Sequence, residues 1–198
     1  MTTATKTAPI DRRDGTRERL LAAARQLFVE RGYHATRPQD IARLAGLGQG
    51  TFYLYFSDKK ACFLAFAAAA RVELQEFLQP RLAGIERQEP FFIALIGGML
   101  DYAAENPGLL RTATMDTASI AADAPDLSQQ WAADWARGLE TAIRRGRTDP
   151  KYDPAIVGAI LVGAIGGAVT AAGRGAPRDK VIDNAVRFLV HALRPQAT

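Results

Sequence analysis

Cysteine is almost missing from this chain. Its 198 residues contain one, Cys62, so no disulfide can close within it, and a reducing, cytoplasmic setting is expected. Histidine is nearly as scarce. His34 and His191 stand far apart and accompany no nucleophile, metal-ligand spacing or phosphate loop. An enzyme is therefore not expected, and neither a metal nor a cofactor is implied. The opening MTTATKTAPIDRRDG lacks the apolar centre of a secretory signal and reads as a flexible basic arm over residues 1–15. Runs of alternating β-branched residues are also lacking while alanine abounds, which predicts an all-α fold.

One long uncharged run does occur, AIVGAILVGAIGGAVTAAG at 155–173, with Gly163 and Gly167 in GxxxG spacing. It has the length of a membrane span. Gly, Ala and Thr dilute it, however, and no Trp or Tyr belt flanks both ends. An all-round apolar helix is equally expected inside a large interface, so no membrane partner is assigned.

Charge is uneven along the chain. Residues 1–60 carry eleven Lys or Arg against six Asp or Glu, leaving fourteen against fifteen for the remainder. A basic head on a neutral body suits nucleic acid at one end. Proline and glycine punctuate the helical stretches. These are predicted at 16–31, 37–45, 49–56, 58–79, 90–105, 107–115, 127–147, 155–173 and 178–193, with a loop at 118–125. Residues 16–60 then form a three-helix DNA-binding head. Residues 61–198 are expected to form a larger helical domain.

The head carries the chemistry. Thr36 and Gln39 fit a capping box, and Pro38 suits a first helical turn. Ile41 and Leu44 are expected inside, with Arg37, Gln39 and Arg43 outside. Gly46 can end that helix and Leu47 plug the turn. In the next helix Phe52 and Phe56, four residues apart, are the expected inward anchors. That leaves Gln49, Gly50, Thr51, Tyr53, Leu54 and Tyr55 on the other faces. Tyrosine hydroxyls suit phosphates and leucine edges suit thymine methyls. The competing reading is that Tyr53, Leu54 and Tyr55 pack against neighbouring helices. Ser57 is the expected cap of the fourth helix. Lys59, which opposes the dipole at that helix start, is expected to meet a phosphate. It is also the sole argument for a redox-active Cys62.

The pattern GY-x-A-T at 32–36, DIA-x-x-AG at 40–46 and G-T-F-Y-x-Y-F-x-x-K at 50–59 resembles the TetR family of transcriptional regulators. Departures are Gly48, where that family usually has Ser, and Arg37-Pro38, where smaller or aliphatic residues are commoner. The resemblance implies an all-α homodimer on a palindromic operator in double-stranded DNA, usually a repressor released by a small-molecule effector. By position, its DNA-facing set is Gln39, Gln49, Thr51, Tyr53, Leu54, Tyr55 and Lys59, to which the outward Arg37 and Gly50 are added.

In the body, the last two helices are expected to pair with their two-fold mates, through Ile156, Ile160, Gly163, Gly167, Val181 and Phe188. A cavity for an apolar or amphipathic effector is expected among Phe91, Met99, Tyr102, Met115, Trp131 and Trp135. Asp101 and Asp134 are expected to be solvated. The alternative function is a non-specific architectural DNA-binding protein, which competitor DNA would strip of all site discrimination.

Overall fold

The computed structural model describes residues 10–113 and 127–195, with side chains over 15–113 and 129–195. Met115, the expected loop at 118–125 and residues 1–9 of the expected arm lie outside the described residues. Among those described, every regular element is an α-helix: α1 Ile10–Ala35, α2 Pro38–Leu44, α3 Gln49–Tyr53, α4 Lys59–Leu82, α5 Gln88–Glu105, α6 Leu127–Arg144, α7 Pro154–Gly173 and α8 Arg178–Leu193. Residues 109–113 are helical as well. Helix α1 begins at Ile10, so residues 10–15 of the expected arm belong to it. The chain divides into two compact units, Met1–Ala69 and Ala70–Thr198. The division falls between Ala69 and Ala70, well along α4, rather than at residue 60 near its start.

The first unit closes on an aromatic core. Leu20, Ala24, Leu27 and Phe28 form the inner stripe of α1, and Ile41, Phe52, Phe56, Phe63 and Phe66 meet it from the following elements, all buried. Phe28 sits edge-on to Phe63 with centroids 5.0 Å apart and lies 5.7 Å from Phe66. Each such ring contributes about 1.5–3 kcal/mol of burial, which lets helices of five and seven residues persist where isolated ones would melt.

In the second unit α6 packs most extensively on α7, and α5 packs on α8. Helix α7 shows two stripes at heptad spacing. The inner one, Gly158, Leu161, Ile165 and Ala168, is buried. The outer one, Ile156, Ile160, Gly163 and Gly167, is exposed. Gly158 is fixed by close approach, because a Cβ there would stand 2.4 Å from the carbonyl oxygen of Ala132 in α6. Asp153 caps α7, its Oδ1 accepting from Ala155 N at 2.9 Å and Ile156 N at 3.1 Å. By length and composition α7 is the one helix among the described residues that could cross a membrane. Its inner stripe is instead committed to α6.

Gly158→Ala is expected to lower stability by about 1–3 kcal/mol through overpacking. Gly138→Ala, on exposed α6 with nothing within 4 Å of the added Cβ, should raise it by up to about 1 kcal/mol. Thermal melts of the two variants check this, and melting in the opposite order would contradict the contact.

Candidate nucleic-acid interface and effector cavity

Helix α1 breaks at Gly32, whose φ of 76° turns the chain and leaves the carbonyls beyond it without helical partners. Two side chains supply donors. The Thr36 hydroxyl lies 2.8 Å from the Gly32 carbonyl and 3.2 Å from that of Leu27. The Lys59 ammonium donates to the carbonyls of Tyr33 at 2.8 Å, Thr36 at 3.0 Å and His34 at 3.4 Å, and stands 4.2 Å from the centre of the Tyr33 ring. Burial pulls the Lys59 pKa down. Burial first, then the Asp58 carboxylate, raises that of the Tyr33 phenol.

This arrangement corrects three expectations. Thr36 faces back into α1 and is buried, so it makes no capping box. Arg37 is the N-cap of α2, without a side-chain cap. Lys59 is not a free cation awaiting phosphate, because its three donors are spent on carbonyls. The α4 cap is also Asp58 rather than Ser57, its Oδ1 accepting from Ala61 N at 2.7 Å.

Helix α2 ends as expected at Gly46, φ 67°. Leu47 N reaches Ala42 O at 2.9 Å and Gly46 N reaches Arg43 O at 3.0 Å, the paired bonds of a Schellman ending. Arg19 adds a bond to Ala45 O at 2.6 Å. Leu44 is 46% exposed, contrary to expectation. The buried stripe of so short a helix runs Ile41, Ala42, Ala45, which turns Leu44 out. Arg43 pairs with Asp40 at 2.6 Å on the surface.

Helix α3 is anchored through Phe52, 0% exposed, with Phe56 at 4% just beyond it. Tyr53 is 54% and Leu54 79% exposed, so these two do not pack against neighbouring helices. Arg37, Gln39, Gln49 and Gly50 are exposed too, with Thr51 and Tyr55 half-buried. Cys62 is fully buried, and burial raises its thiol to about 12. That is the state of a packed, unreactive cysteine.

The second unit encloses a cavity of about 910 Å³. Met99, Trp131 and Trp135 line it as expected, whereas Phe91 and Tyr102 do not. Phe91 packs edge-on against Phe92 and Trp135, behind the wall. Tyr102 is buried against Phe77, its hydroxyl donating to Glu73 Oε2 at 3.3 Å. Sequence reasoning missed the polar lining. Arg71 donates to Asp134 at 2.9 Å and Arg178 to Asp101 at 2.7 Å, so these aspartates are paired rather than simply solvated.

Of the expected dimer residues, Ile156, Ile160 and Phe188 are 62%, 57% and 62% exposed, and the positions of Gly163 and Gly167 open to free space. Val181 is a correction. It is buried in the chain's own core with Leu189, because α8 turns that stripe inward and Phe188 outward.

Two short helices joined by a tight turn, the second anchored from behind and exposed in front, form a helix-turn-helix. Residues 20–66 match the sequence model of bacterial regulatory proteins of the tetR family, so the head of the chain is similar to that family's DNA-binding domain. It is 39% identical over 72 residues to the regulator YvdT of Bacillus subtilis, covering 36% of this chain and 37% of that protein. It is 38% identical over 63 residues to the repressor BepR of Brucella suis, covering 32% and 30%. The alignments thus span about a third of each relative, all within transcriptional regulators. Over the whole chain, the fold is that of the fatty acid degradation regulator FadR of Bacillus halodurans, with TM-score 0.74, 17% identity and coverage of 97% and 100%. FadR of Bacillus subtilis in complex with stearoyl-CoA gives TM-score 0.74 at 17% identity, covering 89% and 99%.

Lys59→Met keeps the aliphatic stem and removes the donors. It is expected to cost about 1–3 kcal/mol, read by chemical denaturation. Unchanged stability with a DNA-binding salt slope smaller by about 1 would return Lys59 to a phosphate.

Proposed function

We propose that the protein is a ligand-responsive repressor that binds a palindromic operator as a homodimer and is released by a small apolar or amphipathic effector. The observation that carries the DNA reading is the contrast on α3 between a fully buried Phe52 and an outward Tyr53 and Leu54. A helix so exposed in water makes sense when a duplex covers it. The DNA-facing set is Arg37, Gln39, Gln49, Gly50, Thr51, Tyr53, Leu54 and Tyr55, with Lys59 positioning the turn behind them. Gln49, exposed in the first turn of α3, is suited to base edges.

Dimerisation is supported by the outer stripe of α7, with Ile156 and Ile160 supplying apolar area and Gly163 and Gly167 permitting close backbone approach, and by Phe188 on α8. Two-fold symmetry then calls for two half-sites. The effector reading is supported by the size of the cavity, which falls within the range of about 300–1,000 Å³ used for small ligands, and by the amphipathic ligand held by the similarly folded Bacillus subtilis FadR.

Fragments selected from genomic DNA by the purified protein are expected to share an inverted repeat. Gln49→Ala should change which half-site bases are enriched, costing about 1–3 kcal/mol at the affected base; an unaltered motif would remove Gln49 from base reading. Gly163→Leu should sediment as monomer or aggregate. An undisturbed dimer would remove the outer stripe from the interface.

A further inference from the structure

Among the described residues, the charges lining the cavity do not balance. Its wall carries, among these described residues, four arginines, Arg71, Arg111, Arg174 and Arg178, against two aspartates, Asp101 and Asp134, with no lysine or glutamate. Both carboxylates are already occupied. Asp134 accepts from Arg71 at 2.9 Å, from Gln75 at 3.4 Å and from Arg137, which is outside the wall. Asp101 accepts from Arg178 at 2.7 Å. Arg111 and Arg174 have no ion-pair partner among the described residues. The rest of the surface is mainly apolar, with Leu74, Leu78, Leu95 and Ile165 among its residues.

Resting on the effector reading above, we propose that the effector is an anionic amphiphile, an apolar body bearing a carboxylate or phosphate head, and that Arg111 and Arg174 receive the head. Low-dielectric walls focus the field of uncompensated charge into the cavity, favouring an anion and disfavouring a cation. The planar guanidinium fork matches the paired oxygens of either acid. A neutral amphiphile gains the apolar contacts alone.

The test uses the full chain and its own fluorescence, since the only two tryptophans, Trp131 and Trp135, both line the cavity. Dodecanoate, dodecyl phosphate, dodecanol and dodecyltrimethylammonium are titrated below their micelle concentrations. At least one of the two anions is expected to bind about tenfold or more tighter than dodecanol, a step worth about 1.4 kcal/mol, with the ammonium weakest. The tighter anion identifies the head. In the double variant Arg111→Gln/Arg174→Gln that preference should vanish while dodecanol affinity persists, which also shows the fold intact. Equal binding of dodecanol and both anions, or an undiminished preference in the double variant, overturns the head-group assignment but leaves the effector reading standing. If no probe alters the emission, the effector reading fails and takes this proposal with it.

Discussion

The head domain depends on how the end of α1 is satisfied. Gly32 breaks the helix, and each carbonyl beyond the break would cost about 1–3 kcal/mol if buried without a donor. Thr36 and Lys59 supply those donors. Lys59 opens α4, so the same ammonium ties the start of that helix to the end of α1, over the face of Tyr33. Phe63 and Phe66 are thereby held against Phe28. The threonine of GY-x-A-T and the distant lysine of the motif are parts of one hydrogen-bonded turn, which gives a physical reason for finding them at fixed spacing.

In the body, the organising element is α7, divided lengthwise into two uses. Its inner stripe meets α6 so closely that a methyl group at Gly158 would strike backbone. Its outer stripe is exposed and has no partner among the described residues. A helix apolar on both sides resembles a membrane span in composition, and only the packing separates the two descriptions. The same helix lends Val162, Ile165 and Val169 to the cavity wall, so the exposed apolar stripe and the cavity share a single scaffold.

Much of the head was legible because its signals are local. Leu20, Ala24, Leu27 and Phe28 repeat at helical period, Phe52 and Phe56 are four apart, and Gly46 stops α2 where expected. Errors arose where a side chain's partner lies far along the chain. The lysines at the start of α4 oppose its dipole, and local reasoning sent Lys59 to a phosphate; its actual acceptors are 23 to 26 residues away. Asp134 and Asp101 find their arginines 63 and 77 residues distant, so the charge pattern of the cavity could not be read from spacing. Val181 and Phe188 were grouped on one face because helical period identifies apolar positions without saying which neighbour each meets.

Leu54 is left almost bare in water, with Tyr53 beside it and Leu44 partly uncovered on α2. Their ordered hydration shells are released when any surface closes over them. Such desolvation gives association a negative heat-capacity change. Its enthalpy therefore becomes more favourable on warming, and affinity follows a curved rather than linear dependence on temperature.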